Sequence, residues 1–330
     1  MSYAIQAEDL VKRFGETEAL AGVSLTAAPG TVLGVLGPNG AGKTTTTRIL
    51  ATLIEPTSGR AEVGGHDVVR EAHQVRQLIG LTGQYAGVDE MLTGTENLVL
   101  IGRLLGIPRR DAKARAAELL ERFQLTEAAE RAAKTYSGGM RRRLDLAASL
   151  VGRPQILFLD EPTTGLDPRS RNGLWDIVRG LTSDGVTVLL TTQYLEEADQ
   201  LADDIVVIDR GQVIAHGTSD ELKAQVGGQV LEVRPVRAAD NAVVARIVGE
   251  LAETAPEVRE GLVSAPITDA ALMPAVVRHL DDAGVAVGEL SLRKSSLDEV
   301  FFALTGHHTD DIDAEAGELA EAATKQETSA

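Results

Sequence analysis

The 330-residue sequence predicts an α/β fold with a parallel sheet, followed by a smaller α+β domain. The first observation is that short apolar runs alternate with helical patterns along residues 31–217. The second is a change after residue 227, where strand and helix segments follow in the order βαββαβ. Hydrophobic residues make up 43% of the chain and aromatic residues only 3%, so we expect a mainly aliphatic core.

The α/β segment begins with an apolar strand at 31–37, which runs directly into a helical pattern. Two further buried strands, at 155–162 and 186–190, are each followed by a helix. The run after them reads as a hairpin with Arg210 and Gly211 at its turn. Because strand and helix alternate, these strands are expected to lie parallel in one sheet.

Residues 86–152 interrupt this alternation. Segments that start at Thr95, Arg109 and Gly138 have helical patterns, and no strand pattern lies between them. We therefore predict a helical insertion in a first domain that spans residues 1–227.

The remainder divides into two parts. Residues 228–306 are predicted to form a ferredoxin-like accessory domain that ends in a helix with Ser296 as its N-cap. The apolar spacing of that helix predicts that Leu297, Val300, Phe301 and Leu304 are buried. Residues 307–330 carry seven acidic side chains and one lysine, a net charge of −6, and are expected to be a disordered tail.

Charge and composition exclude several classes of function. The formal net charge of −17 disfavours binding to nucleic acid. The chain has no cysteine, which excludes disulfides and thiolate metal sites and fits a reducing compartment. The sequence starts without a signal-peptide pattern, and no run reaches the roughly 18 apolar residues of a membrane span. We expect a soluble chain that depends on another polypeptide for any membrane function.

The stretch GPNGAGKTT at Gly37–Thr45 matches the pattern G-x-x-x-x-G-K-[ST] between a predicted strand and a predicted helix. Glycines let backbone amides surround a polyphosphate, and the helix N-terminus adds partial positive charge. We expect Lys43 to reach the β- and γ-phosphates and the Thr44 hydroxyl to bind Mg²⁺. The alternative is a glycine turn that carries these residues by chance, which the strand–loop–helix context disfavours.

Two adjacent carboxylates end the apolar strand ILFLDEP at Ile156–Pro162. Asp160 is expected to hold Mg²⁺ through its water shell, and Glu161 to polarise the attacking water as general base. A solvated acidic turn is the alternative, but a strand of apolar residues leads into it. A third motif, YSGGM at Tyr136–Met140, could form another anion cradle at a helix start. Taken by itself, Ser137 could equally be an ordinary N-cap.

Together these motifs resemble the ATP-binding subunits of ABC transporters, over roughly residues 3–225. The resemblance identifies Walker A, Walker B and a signature that departs from LSGGQ at Tyr136 and Met140. It is closest to the drug-resistance ATPases of the daunorubicin-exporter type, whose terminal helix resembles SSLDEVFFALTG at Ser295–Gly306. The fold implied is a P-loop NTPase cassette with a parallel sheet core, an antiparallel β subdomain and a helical insertion.

The resemblance also assigns residues one by one. Phe14 resembles the aromatic residue that stacks on adenine, Gln84 the Q-loop glutamine and Asp167 the D-loop aspartate. The metal ligands implied are Thr44, Gln84 and Asp160, and the catalytic residues are Glu161 and Gln193. The residues that would contact the nucleotide bound to a second copy are Ser137, Gly138, Gly139 and Met140. The nucleotide-binding residues are Phe14, Gly37, Pro38, Asn39, Gly40, Ala41, Gly42, Lys43, Thr44, Thr45 and Gln84.

Gln193 follows the strand VTVLLTT, where the wider family has a histidine that contacts the γ-phosphate; the drug-resistance group shares the glutamine. In an open parallel sheet, ligands bind beyond the carboxyl ends of the strands. An amide there can donate a hydrogen bond to a phosphate oxygen but cannot carry a proton charge. The alternative is a surface amide that caps the following helix.

The resemblance implies an ATPase that uses ATP and Mg²⁺ and pairs head to tail with a second copy. It would be peripheral on the cytoplasmic side of the cell membrane, docked on a separate permease through the helical insertion and the Gln84 segment. Arg141–Arg143 are expected to cover a solvated helix face. The cargo would be a drug-like or lipid-like compound, exported without nucleic acid as a partner.

Three other functions stay open at this point. A soluble ABC ATPase of translation usually carries two cassettes, and this sequence has the motifs of one. A soluble ABC ATPase of DNA repair usually carries a long coiled coil, and the sequence has no such pattern. A module that binds ATP without hydrolysing it is disfavoured by the presence of Glu161. The departures from the family pattern at Gln193, Tyr136 and Met140 keep this alternative open. An importer subunit would contain the same parts.

Overall fold

The computed structural model describes residues 3–83, 87–225, 228–267, 269 and 271–305. The chain divides into two compact units, one ending at Gly217 and the next beginning at Thr218. The predicted boundary at residue 227 therefore lies within the second unit, after its first helix. Residues 307–330, for which disorder was predicted, lie outside the described part of the chain.

The first unit contains two sheets. Its strands are β1 (Ile5–Phe14), β2 (Thr17–Ala27), β3 (Val32–Leu36), β4 (Ser58–Val63), β5 (His66–Asp67), β6 (Ile79–Thr82), β7 (Ile156–Asp160), β8 (Thr187–Thr192), β9 (Asp204–Asp209) and β10 (Gln212–Gly217). An antiparallel sheet has the order β2-β1-β4-β5. A second sheet has the order β10-β9-β3-β8-β7-β6, in which only the β9–β10 pair is antiparallel.

The helices of this unit are α1 (Lys43–Leu50), α2 (Ala72–Leu78), α3 (Gly94–Leu104), α4 (Arg109–Arg122), α5 (Gly138–Ser149), α6 (Pro168–Ser183) and α7 (Leu195–Leu201). Between β6 and β7, the described residues form the helices α3, α4 and α5 and two short 3₁₀ turns, in agreement with the predicted helical insertion. Thr93 and Glu96 start α3 with a reciprocal capping box, in which each side chain accepts a backbone N–H of the other.

The parallel sheet is buried on both faces, which explains the unbroken apolar runs of its strands. In β7, Leu157 and Leu159 pack into the core beneath the helical insertion. Their neighbours Ile156 and Phe158 point the opposite way, into the core shared with the antiparallel sheet. Packing against these two cores fixes the register of β7 against β8 and therefore the position at which β7 ends.

The second unit contains α8 (Ser219–Gln225), β11 (Gln229–Pro235), α9 (Asn241–Ala252), β12 (Glu257–Arg259), β13 (Leu262–Ile267), α10 (Leu272–Asp282), β14 (Val287–Lys294) and α11 (Leu297–Thr305). From β11 onward the order is βαββαβ, and the antiparallel sheet has the order β12-β13-β11-β14. Leu231 and Val233 face α9 and α10 in an aliphatic core. The sheet order is that of a ferredoxin-like unit.

The terminal helix α11 matches its prediction except at one position. Ser296 and Glu299 form a capping box, since each side chain accepts the other's backbone N–H. Leu297, Val300 and Phe301 are buried, as predicted, but Leu304 is 39% exposed. The prediction for Leu304 was wrong because the apolar stripe is covered only over the first part of this short helix.

Candidate active site

The carboxyl ends of β3, β7 and β8 meet at one edge of the parallel sheet. Leu36 pairs with Thr192, and Asp160 pairs with Thr191. The residues that follow these strands, which include Gly37, Glu161 and Gln193, therefore emerge side by side. This is the edge where ligands bind in open α/β sheets.

The Gly37–Thr45 loop owes its path to glycine. A Cβ on Gly37 would lie 2.1 Å from the Ile208 carbonyl oxygen, so a larger residue would push the loop off β9. Gly42 has a φ of 110° and caps α1 without any side-chain hydrogen bond. The loop therefore brings its backbone and the start of α1 to the sheet edge, an arrangement suited to an anion.

Lys43 is buried, with 4% of its surface exposed. Its ammonium donates to the carbonyl oxygens of Gly37 at 2.5 Å and Pro38 at 3.0 Å, and lies 3.8 Å from Glu161 Oε1. The ammonium thus folds back over its own loop. It lies between the loop and Glu161, where a phosphate could replace these groups as its partner.

A small network of oxygen atoms surrounds the Asp160 carboxylate. Thr44 Oγ1 donates to Asp160 Oδ1 at 3.2 Å, and Thr191 Oγ1 donates to the same oxygen at 2.5 Å. Thr191 was not singled out in the sequence, and the only signal for it was a hydroxyl inside a buried strand. Its bond orients the carboxylate, because a buried acceptor retains its partners.

The Asp160–Thr44 pair fits a magnesium ion by its donor chemistry, since Mg²⁺ prefers hydroxyl, carboxylate and phosphate oxygens. Among the described residues, no group of three or more His, Cys, Asp or Glu side chains could hold a metal by itself.

Glu161 sits in a strained turn directly after β7. Its φ of 48° lies in the left-handed region that residues with a side chain rarely adopt. Its backbone N–H donates to the Thr191 carbonyl at 3.1 Å and hydroxyl at 3.2 Å. The side chain is nearly buried, at 10% exposure, and faces Lys43. The turn therefore brings Glu161 to the same edge as Asp160, although adjacent strand residues normally point to opposite faces.

Gln193 lies between β8 and α7. Its Oε1 atom is buried and has no hydrogen-bond partner among the described residues. The N-cap of α7 is Tyr194, and no side chain caps that helix. The structure thus contradicts the alternative in which the Gln193 side chain caps α7.

The signature residues lie at the start of α5. The Ser137 hydroxyl accepts the Met140 backbone N–H at 3.2 Å, so Ser137 is an N-cap as well as a candidate anion contact. A Cβ on Gly138 would meet nothing within 4 Å, whereas one on Gly139 would lie 2.5 Å from Ser170 Oγ. The signature is therefore open at Gly138 and packed against the start of α6 at Gly139.

Tyr136, which replaces the leucine of the wider family, is accommodated by the helical insertion. Its hydroxyl donates to the Ala128 carbonyl at 2.6 Å, and the side chain is 3% exposed. Burial raises the pKa of the Tyr136 phenol. The departure at this position therefore has a structural explanation and leaves the amides of Ser137 and Gly138 in place.

Asp167 is the N-cap of α6. It accepts hydrogen bonds from the Ser170 hydroxyl at 2.7 Å and the Ser170 backbone N–H at 2.9 Å. These two bonds lower the pKa of Asp167. Asp167 and Gly139 thus contact the same residue, which joins the D-loop to the signature in a cluster separate from Lys43.

Two other predicted site residues are placed less directly. Phe14 ends β1 and is 50% exposed, with the Lys12 ammonium 5.1 Å above its ring. An exposed ring at a strand end can stack on a base. Gln84 lies outside the described residues, and its neighbour Gly83 directly follows β6.

The expectation that Arg141–Arg143 cover a solvated face was wrong for Arg142. Its side chain is only 12% exposed, and it reaches the carbonyl oxygens of Asp160, Glu161 and Pro162. Sequence spacing could not reveal this, because a basic run on a helix normally marks its solvated face.

A cleft of about 650 Å³ opens beside the helical insertion. Its walls come from α2, β6, α3 and α5, and combine the polar residues His73, Arg76 and Gln77 with apolar residues such as Leu81 and Ile101. Exposed leucines continue the apolar surface, with Leu104 exposed by 77%. In the described part of the chain, no helix combines the length and the apolarity needed to cross a lipid bilayer.

Two family models match the chain. The one described as ABC transporter matches residues 20–164, and the one described as ATP-binding protein DrrA1-3-like, C-terminal domain, matches residues 217–305. The chain is 54% identical over 315 residues to the daunorubicin resistance ATP-binding protein DrrA2 of Streptomyces coeruleorubidus, covering 94% of this chain and 98% of the relative. It is 47% identical over 307 residues to the doxorubicin resistance ATP-binding protein DrrA of Mycobacterium tuberculosis H37Rv, covering 90% and 92%.

Solved structures agree with the fold. The ADP conformation of an ATP-binding cassette of an ABC transporter matches with a TM-score of 0.61 at 27% identity, covering 67% of this chain and 93% of that one. A dimeric, post-hydrolysis cassette bound to ADP and Pi matches with a TM-score of 0.59 at 26% identity, covering 65% and 98%.

Proposed function

Because the chain belongs to the ABC transporter ATP-binding proteins of the daunorubicin-resistance group, we propose that its sheet-edge site hydrolyses ATP between two copies of itself. The chain is an ATPase subunit that energises drug export, and the alternatives of a non-transport ATPase or an importer are not favoured by its relatives. The observation that carries the proposed site is the direct contact of Lys43 with Glu161 beside the Thr44–Asp160 pair.

In the proposed mechanism, the γ-phosphate takes the place of Glu161 and the loop carbonyls as partner of the Lys43 ammonium. Glu161 is then released to accept a proton from the attacking water, whose oxygen bonds to the γ-phosphorus as the bond to ADP breaks. Gln193 Oε1 can accept a hydrogen bond from that water, or its amide can donate to a phosphate oxygen. A magnesium ion held by Thr44 and Asp160, with Gln84 as a further candidate, would neutralise phosphate charge.

The second copy supplies what one chain lacks. We assign Ser137, Gly138, Gly139 and Met140 to the nucleotide of the opposite copy, on the basis that Gly138 is unobstructed at a helix start. A dimeric cassette with ADP and Pi among the structural neighbours supports such pairing. ATP would close the pair, and the release of charged phosphate would reopen it.

The cleft beside the helical insertion is the surface we assign to a separate membrane subunit. It combines apolar and polar wall residues, and α3 beside it exposes Leu100, Leu104 and Leu105, which a monomer rarely presents in one place without a partner. Docking there would hold the chain at the cytoplasmic side of the membrane. The relatives' names favour an anthracycline-like cargo, because they are resistance proteins for daunorubicin and doxorubicin.

Drug accumulation in cells tests this function. Expression of the chain with the membrane protein encoded beside its gene should lower the amount of daunorubicin that cells retain. Lys43→Ala should abolish the effect, because it removes the phosphate-binding ammonium. Lys294→Ala, at an exposed lysine that ends β14 outside the helical insertion, is the matched control and should act like the parent. Equal accumulation with the parent and with Lys43→Ala would contradict the proposal.

A further inference from the structure

Arg142 on α5 makes an unusual set of contacts for a residue in a basic run. Its Nε atom donates to the Pro162 carbonyl at 2.7 Å. Its Nη2 atom donates to the carbonyls of Asp160 at 3.2 Å and Glu161 at 3.1 Å. One guanidinium thus binds three consecutive carbonyl oxygens around the turn that carries the general base.

The same guanidinium reaches a second part of the site. Its Nη1 atom donates to the Gly83 carbonyl at 2.8 Å and to Asp145 Oδ2 at 3.4 Å. The other carboxylate oxygen, Asp145 Oδ1, accepts the Gly87 backbone N–H at 2.6 Å. Gly83 and Gly87 stand on either side of the Gln84 segment, so the Arg142–Asp145 pair fixes both of its ends.

Both members of the pair are withdrawn from water, since Arg142 is 12% and Asp145 is 5% exposed. Burial lowers the pKa of Arg142 and raises that of Asp145, while each partner opposes the shift of the other. Burying a charge pair costs desolvation free energy. This cost is offset only where the remaining hydrogen-bond donors and acceptors of both side chains are also satisfied. Here they are satisfied almost entirely by backbone groups of the site.

The turn that the guanidinium holds is strained. Glu161 has a φ of 48°, a conformation that costs energy for any residue with a Cβ. Such strain persists only where the surroundings over-determine the backbone. The carbonyl contacts of Arg142 and the Thr191 contacts of the Glu161 N–H supply that constraint from opposite sides.

We propose that Arg142, oriented by Asp145, is a positioning residue for Glu161. It holds the Asp160–Pro162 turn in the strained conformation that directs the Glu161 carboxylate to the nucleotide edge. It also ties that turn to the two ends of the Gln84 segment. This inference rests on the proposed role of Glu161 as general base and adds a residue that touches neither nucleotide nor metal.

Arginine is required at this position for geometric reasons. Its planar group presents five N–H donors in a fixed fork, and the contacts observed use donors on all three nitrogens. A lysine keeps the charge but offers a single ammonium that cannot span Gly83 and Pro162 together. Arg142→Lys therefore changes the hydrogen-bonding geometry at this position while it keeps the positive charge.

The test compares turnover with nucleotide affinity in the purified full-length chain. We expect Arg142→Lys to lower kcat for ATP by about 10- to 100-fold, because a displaced general base loses its near-attack geometry. The Kd for ADP should stay within about threefold of the parent. Arg122→Lys, an exposed arginine that also pairs with an aspartate, is the matched control and should leave both unchanged.

A second variant keeps the proposal testable if Arg142→Lys fails to fold. Asp145→Asn can still accept the Gly87 N–H but loses the charge that orients Arg142. It should lower kcat in the same direction and by a smaller factor, again with ADP affinity retained. Unchanged kcat in both variants would overturn the proposal.

The Glu161→Gln background distinguishes positioning from a general structural role. If Arg142 acts through Glu161, adding Arg142→Lys to Glu161→Gln should change the residual single-turnover rate by less than about twofold. Multiplicative losses in the double variant, or ADP affinity that falls together with kcat, would instead show a structural role only and overturn the inference. Full activity of Glu161→Gln itself would contradict the proposed function, whatever Arg142 does.

Discussion

At the scale of single residues, the contrast between Lys43 and Gln193 shows what the site still needs. Lys43 is fully engaged with loop carbonyls and Glu161, whereas Gln193 Oε1 is buried without a partner in the described part of the chain. A bound phosphate would replace the loop carbonyls and Glu161 as the partner of the Lys43 ammonium. The attacking water would donate a hydrogen bond to Gln193 Oε1. We therefore expect the hydrogen bonds of Gln193 to change when nucleotide binds.

Substitution of Gln193 tests that role. Gln193→Ala removes one hydrogen bond to a charged or reacting oxygen, which costs about 1.5–3 kcal/mol, or roughly 10- to 150-fold. We expect the loss mainly in kcat, because Lys43 and the loop amides already hold the ground-state phosphates. Gln193→His should keep substantial activity and acquire a pH dependence between about 6 and 7, since imidazole titrates there. Steady-state ATPase rates and ATP affinities check both variants, and a Gln193→Ala protein that matches the parent in both would contradict the role.

Single residues also show where sequence reasoning reached its limit. The common position of Lys43, Thr44, Asp160 and Glu161 at one sheet edge could be predicted because their motifs are contiguous and lie at the carboxyl ends of β3 and β7. Arg142 could not, because its partners are backbone carbonyls at residues 83 and 160–162, and carbonyls leave no trace in a sequence. Prediction failed where the chemistry depends on tertiary contacts with the backbone.

At the scale of elements, α6 and α7 are joined by a buried polar bond. Trp175 Nε1 on α6 donates to Glu197 Oε1 on α7 at 3.1 Å, and Glu197 is fully buried. These helices begin just after Asp167 and Gln193, respectively. The bond therefore links the two segments that carry a proposed inter-copy contact and a proposed γ-phosphate contact. The burial of Glu197 could not be predicted, because a glutamate in the pattern YLEEAD is typical of a helix surface.

The protonation of Glu197 should appear in the stability of the protein. Burial raises the pKa of Glu197 above its ordinary value of 4.5. Between that value and the raised pKa of the folded state, the folded protein binds more protons than the unfolded chain, so the free energy of unfolding falls as pH rises through this interval and levels off above it. Glu197→Gln should remove that part of the slope and be at least as stable as the parent at neutral pH. Denaturant unfolding at several pH values checks this.

The fluorescence of Trp175 provides an independent readout, because it is the only tryptophan in the chain. Its emission should shift with pH in the parent as Glu197 ionises and should lose that shift in Glu197→Gln. Glu196→Gln, at the exposed neighbour, is the control and should keep the parent's profile. Identical pH profiles in the parent and Glu197→Gln, by both measurements, would show that the carboxyl is not perturbed.

At the scale of the whole molecule, the sequence predicted the parallel sheet, the helical insertion and the cassette family, and all three are found. The sheet was predictable because each buried strand is a continuous apolar run with a helix directly after it, the insertion because no strand pattern lies between its helices, and the family because its motifs are contiguous in sequence. The division of the chain was less predictable. The helix α8 belongs to the second unit, and the observed division at Gly217 precedes the change in sequence composition from which the boundary at residue 227 was predicted.

The formal net charge of −17 constrains how two copies can meet. Two acidic chains repel each other at long range, so association must be driven by local features at the nucleotide edges. Lys43 and the starts of α1 and α5 are such features, because each presents positive charge or partial charge to a polyphosphate. We therefore expect ATP to link the two copies by contacting both of them. An ATP that cannot be hydrolysed should keep the two copies associated.

The most direct test of this account is the behaviour of Glu161→Gln with ATP. The variant should bind ATP, lose about 10²-fold or more in turnover, and migrate with the mass of two chains only when ATP is present, as measured by size-exclusion chromatography with light scattering. The parent under the same conditions should be mainly monomeric after it has consumed its ATP. A Glu161→Gln protein that turns over ATP like the parent, or that binds ATP and stays monomeric, would contradict the proposed site and its completion by a second copy.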